Sequence, residues 1–545
     1  MKQLCFQRSH NSLGFPGQFG LFLWTTGCAR QTIEVLHRCG LSVSYTSVLH
    51  TIESLASHCI QLAIKVGAGI HVFCYDNVNI STSIFVEQRG SLGPAKVTSG
   101  TFGVIYKVRN GEPEHMKLAP ILERLKSSKG LDFNRDVRPT QLQLESFKFQ
   151  LKIVIVHVLT KYSEHFKSYA THPALQHNPR RPMTKGYVTE QYPVRATTIE
   201  EATVRGNLLY HEDVYLTQLK RNPEELSKYA IPTFNDQLTN SRIRSGQILR
   251  ARDLNSWTRR EVFQLGFGLF HLCLNLVWAL LHIHRGTLEQ TGSLTYFFAL
   301  LEKARLGGEH PDYHSLLSSL TQIRDGLLLN AWRAECGHIN LKEFSKVKPT
   351  PEQLLAIAEQ ILLNYATAFK LVKPDTGVME SSSEEDDSDS RSDMDLDTEK
   401  APPTSRPERV QIRNQDASDD LAHRNICLLT RDLLYVGELI RSISDGDIGR
   451  IEDFLPQLAM MFRGAGGNNY CTEILHFIFN LKHVWPPEFA FVHSYSILND
   501  LKSYSQLCCY RNIMRDNMLV NLSGLEGHSM PIDLNIEHLI GELKV

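Results

Sequence analysis

Residues 71–81 read HVFCYDNVNIS, and the reading of this stretch decides the fold. Up to Tyr75 the residues are apolar and β-favouring; Asp76 and Asn77 then interrupt, and a β-leaning run resumes. A carboxylate beside the middle of a buried strand is costly unless it is paired, hydrogen-bonded or holding a metal. Asp76 therefore either marks a strand end or is the reason the strand is there.

Further strand-like runs follow at 82–87 (TSIFVE) and 101–108 (TFGVIYKV), with the turn-prone RGSLGPAK between them. This pattern predicts an antiparallel meander. Residues 146–163, SFKFQLKIVIVHVLTKYS, fit a buried strand or a helix equally. From 170 to 200 the chain is polar and proline-containing and reads as a loop, before a short apolar piece, AIPTF, runs into NDQLTN. Upstream, residues 30–60 predict a helical hairpin, helix-turn-helix-like in outline. Gly40 lies at its break, Ser42 or Ser44 caps the second helix, and Val48, Ile52, Leu55 and Ile60 share a face.

Downstream, from about 255 to 530, apolar periodicity predicts helices at 259–284, 294–305, 315–333, 351–372, 427–442, 451–463 and 470–484. The run GFGLFHLCLNLVWALL (266–281) is too short, and with His271 and Asn275 too polar, for a membrane span of roughly 20 residues; a buried core helix is expected. The chain ends in PIDLNIEHLIGELKV, where Asp533 is expected to cap a helix with Leu534, Ile540 and Leu543 on its apolar face and Glu537 one turn on. Stopping within a helix, it reads as a truncated architecture.

Composition bounds the function. The chain has 545 residues, 42% hydrophobic and 21% charged, as expected of a soluble protein of several domains. The net charge of −1 hides an acidic run at 380–399 carrying −9, which leaves +8 elsewhere. That run, within ESSSEEDDSDSRSDMDLDTEK and followed by APPTSRP, reads as a disordered linker (378–410) with phosphorylatable serines. The basic remainder is compatible with a polyanionic partner. Eleven cysteines with no CxxC pair exclude a zinc knuckle and argue against a disulfide framework. No apolar h-region opens the chain, so a nuclear or cytoplasmic location is expected rather than secretion.

There is no Walker loop, no GxGxxG after a strand, no GxSxG elbow and no HExxH. What remains is carboxylates at the ends of elements. Asp76 follows the first strand, Asp236 a later apolar run, and Glu537 lies on the terminal helix. That is the order of an RNase H-like nuclease or transposase core. Its chemistry calls for carboxylates, because Mg²⁺ prefers hard oxygen ligands, and two ions roughly 4 Å apart activate a hydroxyl and stabilise the leaving oxygen.

The stretches GLFLWTTGCARQTIEVLHRCGLSVSYTSVLHTIESLA, FCYDNVNISTSIFVEQR, IPTFNDQLTNSRIRSGQILRARD, FQLGFGLFHLCLNLVWALLHIHRG and PIDLNIEHLIGEL resemble a large fungal family, domain-of-unknown-function family 6589. The resemblance runs from about residue 20 to the C-terminus. It implies a transposon-derived protein whose RNase H-like core is interrupted by a large helical insertion, as in hAT-type transposases. The core would comprise 65–255 and 531–545, with 20–62 as the hairpin and 256–530 as the insertion. On that reading Asp76, Asp236 and Glu537 are catalytic and metal-binding, with Mg²⁺ or Mn²⁺ as cofactor. Asn77, Gln237, Arg242, Arg244 and His271 would support the site or meet nucleic acid.

The expected function is DDE-type cleavage or strand transfer on DNA. The alternative is a catalytically inactive derivative that binds DNA or protein. DNA is the expected partner, no membrane is involved, and a homo-oligomer is compatible with the sequence.

Overall fold

Capping chemistry lays out the N-terminal elements. In the computed structural model, which describes residues 9, 12–82, 96–108, 111–367, 421–486, 489 and 513–543, helix α1 (Gly14–Thr25) is followed by α2 (Arg30–Arg38) and α3 (Tyr45–Gly67). Gly40, at φ 73°, turns the chain between α2 and α3, and Ser44 caps α3 by accepting the Ser47 amide. Leu23, Ile33, Val43 and Val48 form a small core of their own. The hairpin thus has a third helix, α1. Leu55, expected on its apolar face, is exposed. Beyond Ile60, α3 turns a second apolar face (Ala63, Ile64, Val66) onto the main core.

The next elements are β1 (His71–Thr82), β2 (Lys96–Lys107), α4 (Leu118–Ser127), α5 (Gln141–Tyr162), β3 (Gln191–Pro193), α6 (Val204–Glu212), β4 (Ile231–Asn235), α7 (Gln237–Leu249) and β5 (Phe263–Phe267). The five strands form one mixed sheet in the order β3-β2-β1-β4-β5. β1 and β2 are antiparallel, with Val72 opposite Tyr106 and Asp76 opposite Phe102. β3 is antiparallel to β2, whereas β4 is parallel to β1 and β5 to β4.

The antiparallel pairing is therefore present but the meander is not. Residues 71–82 form one strand through Asp76 and Asn77, and the third strand is β3, inside the stretch read as a loop and reached from β2 only through α4 and α5. The run predicted at 82–87 lies outside the described residues beyond Thr82. The ambiguous 146–163 is helix α5, opened by a Thr140/Gln143 capping box. It is buried nearly all round, from Phe147 through Ile155 to Leu159, which is why its pattern has no single apolar face.

The sheet also continues past residue 255. Within 259–284, read as one helix, the first residues pair as β5, and only then does α8 (Leu269–His284) begin. Helices α9 (Tyr313–Glu335), α10 (Pro351–Tyr365), α11 (Leu421–Ser444), α12 (Ile448–Gly464) and α13 (Asn468–Phe479) follow. α14 (Ile532–Leu543) then returns to pack on β1, β2, β4 and α8. The acidic linker and Cys508–Cys509 lie outside the described residues.

One continuous apolar cluster runs from Phe73 and Ile105 in the sheet through Ile155 and Leu276 to Leu433 and Phe454. α8 is the buried core helix expected, and among the described residues no helix is long and apolar enough to cross a membrane. Every cysteine among the described residues is a free thiol.

Candidate metal centre

Strand register brings the first acids together. Phe73 of β1 lies opposite Thr233 of the parallel β4, so Asp76 and Asp236, each three residues further, stand at the same level and on the same face. Asp236 follows the end of β4, whereas Asp76, expected at a strand end, lies within β1, which runs on to Thr82. Thr233 in turn lies opposite Leu265 of β5. Three residues beyond Leu265 is Gly268, where α8 departs with His271 in its first turn. α14 crosses this edge and delivers Asp533 and Glu537. As a result Asp76, His271 and Glu537 each present a ligand atom within 4.8 Å of the other two.

Asp533 sets the orientation of the imidazole. The N-cap of α8 is Gly268, which has no side chain to offer. Asp533 does the capping from another helix: Oδ1 accepts the Phe270 amide at 3.1 Å and Oδ2 the His271 amide at 3.0 Å. The same Oδ2 accepts from His271 Nδ1 at 3.1 Å. Nε2 is thereby left facing Glu537 Oε1, 3.7 Å away. A carboxylate that fixes the tautomer of an imidazole in this way is the usual support of a histidine metal ligand. The approach is close enough that a Cβ on residue 268 would lie 2.2 Å from Asp533 Oδ2. Asn535 anchors the same helix by donating to Tyr106 Oη at 2.8 Å and Gln191 Oε1 at 2.7 Å.

Asp236 caps α7, its Oδ1 accepting the Thr239 amide at 2.7 Å. Its charge reaches Asp76, but it is not one of the three donors grouped within 4.8 Å. The Asn77 amide, rather than its side chain, serves Asp76, donating to Oδ1 at 2.7 Å. Gln237 is half-buried in the first turn of α7. Arg244 is engaged by Glu473 of α13, Nη1 donating to Oε2 at 3.2 Å, and so ties α13 to α7. Arg242 is half-buried with its Nε unpartnered.

Three members take roles the sequence does not assign them: His271, expected to support the site, stands in the donor group itself, and Asp533 and Glu201 join the site. Asp533 was read as the cap of its own helix. Glu201, in the turn before α6, is 2% exposed, and its Oε2 has no hydrogen-bond partner. Asn207 of α6 donates to the Glu201 carbonyl, and Gly206 permits the approach, since a Cβ there would lie 1.7 Å from the Glu200 carbonyl oxygen.

The electrostatics follow from crowding. Burial, with the charges of Glu537 and Asp236, pushes Asp76 up to about 7 against the opposing pull of His271 and the Asn77 amide. For Glu201, burial and the charges of Asp76 and Asp236 push the carboxyl well above the usual range, while the Thr239 hydroxyl and the Asn77 amide oppose them. Burial alone would lower His271, but its bond to Asp533 and the charges of Asp533, Asp76 and Asp236 outweigh it and raise the imidazole to about 9. Five carboxyls thus surround one basic ring, an excess that protons or a divalent cation must offset.

The donor set fits such a cation. Ligand atoms at roughly 2.1 Å from one ion lie up to about 4 Å apart, close to the observed spread. Carboxylate oxygens suit Mg²⁺ and Mn²⁺, and the imidazole shifts preference from Mg²⁺ towards Mn²⁺ and later transition metals.

Among known protein families, residues 126–545 match the model of a family of unknown function (DUF6589). The matched span contains Glu201, Asp236, His271, Asp533 and Glu537; Asp76 precedes it. No match was found among curated proteins or among solved structures.

Proposed function

The chain belongs to the DUF6589 family, and from its site we propose a transposase-derived enzyme that cleaves or transfers phosphodiester strands of DNA with a divalent cation, Mn²⁺ or Mg²⁺, on an RNase H-like core. The observation that carries this reading is the meeting of Asp76, His271 and Glu537 within 4.8 Å, with Asp236 one strand away. The strand order supports it: an antiparallel β3-β2-β1 set extended by parallel β4 and β5, with one acid within β1, another just past β4 and a glutamate on the returning helix. Helices α8–α13 stand between β5 and α14, and on this reading they are the insertion, which then begins after β5 rather than at residue 256.

Asp76, His271 and Glu537 would hold the cation. When bound it would supply a Lewis acid for a phosphoryl oxygen and lower the pKa of an attacking hydroxyl. Asp533 holds the Nδ1 proton of His271, so the proton that would be given up for a cation is the one on Nε2. Glu201, with Oε2 unpaired and its carboxyl biased towards the protonated form, can hold a proton beside Asp76 and Asp236. Glu537, at 36% side-chain exposure, marks the open side through which substrate arrives.

The test is nicking of supercoiled plasmid in Mn²⁺ and in Mg²⁺. Wild-type chain should nick, more in Mn²⁺, and Asp76→Ala and Glu537→Gln should abolish it. Nicking that survives both substitutions, or none with either metal, overturns the proposal.

A further inference from the structure

The turn that ends α13 builds a second charged feature away from the metal centre. Helix α4 and the residues after it pack against Asn480–Val484, and between them lies a cavity of about 270 Å³. Its walls are Arg124, Lys129, Arg135, Lys482 and His483, with the hydroxyls of Ser127 and Ser128. Among the described residues no carboxylate lines it.

Asp136 accounts for part of the charge. It bonds Arg135 at 2.7 and 2.9 Å and faces His483 at 2.9 Å, and the Arg135 guanidinium holds its carboxyl well below the usual range. Arg124 has its Nε fixed on the Val484 carbonyl at 3.2 Å. No ion pair to Arg124, Lys129 or Lys482 occurs among the described residues. Three cations therefore converge on one concave surface without acidic partners, an arrangement whose self-repulsion an anion relieves.

Helix α13 connects this cavity to the metal centre. At its start, Tyr470 feels the charges of Asp236, Asp533 and Asp76, and Glu473 bonds Arg244 and Asn240 of α7. At its end are Lys482 and His483. From Tyr470 to His483 the helical rise is about 20 Å, at roughly 1.5 Å per residue. Along a duplex, at roughly 3.4 Å per base pair, that is about six base pairs.

We propose that the cavity bounded by Arg124, Lys129 and Lys482 binds a backbone phosphate of the polynucleotide, about six base pairs from the metal centre, as a non-catalytic anchor. The choice of a polynucleotide rests on the function proposed above; the phosphate chemistry does not.

The experiment measures binding of the full chain to a labelled duplex of about 30 base pairs by fluorescence anisotropy, in EDTA, from roughly 50 to 200 mM salt. Lys129 and Lys482 are both exposed, so Lys129→Gln/Lys482→Gln should keep the fold, checked by circular dichroism. Each phosphate contact contributes about 0.9 to the slope of log K against log salt, so the double variant, which loses the one phosphate the cavity holds, should lose about 1 from it and bind several-fold more weakly.

A wild-type slope in the double variant, or no duplex binding by the wild type, overturns the proposal. So does inorganic phosphate binding that needs the two lysines while the duplex slope does not change, which would mark a small-phosphate site. A slope that falls as expected in a chain that never nicks DNA upholds the anchor and overturns only the nuclease reading.

Discussion

Asp533→Ala tests the framework of the site without touching any of the three grouped donors. Asp533 is 2% exposed and makes three bonds to α8: the amides of Phe270 and His271 and the His271 Nδ1. Loss of a helix N-cap costs about 1 kcal/mol, and a buried donor left unsatisfied costs about 1–3 kcal/mol. These overlap, because the amides are the capped groups, so about 2–3 kcal/mol is the reasoned total for opening the first turn of α8. At about 1.4 kcal/mol per decade, amide exchange over Leu269–Leu272 should accelerate by roughly 30- to 100-fold. Asp533→Asn keeps one carbonyl acceptor and should accelerate it by about fivefold, from roughly 1 kcal/mol. Hydrogen–deuterium exchange read by mass spectrometry follows the peptide spanning Gly268–Asn275, with α9 peptides as an internal reference. Exchange within twofold of wild type would refute the cross-helix cap, and uniform acceleration that includes α9 would mean global loosening instead.

Gly268→Ala should act through the same carboxylate. Its Cβ would fall 2.2 Å from Asp533 Oδ2 and 2.5 Å from Cγ, so the same peptide should lose protection. In the Asp533→Ala background the added loss should shrink, and strictly additive effects would disprove the shared cause. Mn²⁺ at about 100 times its Kd should stabilise the native chain by about 2.7 kcal/mol, seen as a raised thermal midpoint. The rise should vanish in Asp76→Asn and in Glu537→Gln, and a rise that survives both would put the ion elsewhere. His71 supplies a pH dependence. Burial lowers its pKa to about 4, with Nδ1 on the Gly69 carbonyl at 3.0 Å and Nε2 on Tyr215 Oη at 2.9 Å. It is neutral in the fold and protonates near 6.5 when unfolded, so the unfolded chain binds the extra proton between those values. Its contribution is complete above about pH 6.5 and is lost as pH falls through 4, about 3 kcal/mol in all. The drop in urea midpoint between pH 7 and pH 4.5 should be smaller in His71→Gln than in wild type; equal drops would contradict a buried neutral ring.

What could be read from the sequence depended on whether a residue's role was local. The first half of β1 and all of β4 are legible as apolar β-favouring runs, but β1 continues through Asp76 and Asn77 because its backbone stays paired with β2. Asp236 shows itself because one residue both follows a strand and caps a helix. β3 is not legible: three residues, QYP, gain strand character only by pairing with β2. β5 was absorbed into a predicted helix because five apolar-rich residues, FQLGF, satisfy either period. His271 is legible from the sequence only as a residue supporting the site, and its position three residues after Gly268, in the first turn of a helix at a strand's end, is the signal that puts it among the donors. On α14 the buried face is Ile532, Ile536 and Ile540 rather than one centred on Leu534. Asp533 falls inside that helix, where its acceptors are free to serve a neighbour. Glu201 gave no signal, since an acid in a polar turn is ordinary until the turn is buried.

The long separation between Asp236 and Glu537, 301 positions, is physically cheap. Loop closure costs about 0.6 kcal/mol for each doubling of length, so lengthening a connection tenfold adds only about 2 kcal/mol. Docking of α14 exceeds that: Ile532, Ile536 and Ile540 are at most 1% exposed, and each such side chain contributes about 1.5–3 kcal/mol on burial. The connection is also not a free loop. α8 begins at the site and packs on α9 and α11, and α13 returns to β5 and α7, so much of the intervening chain is already held against the sheet. Asp76 and Asp236 are placed by strand register alone, whereas His271, Asp533 and Glu537 come together only when α14 seats on α8. Seating of α14 is therefore the step that completes the donor set, and a substitution that weakens it, such as Asn535→Ala at the contact with Tyr106 and Gln191, should lower metal affinity while leaving the sheet intact.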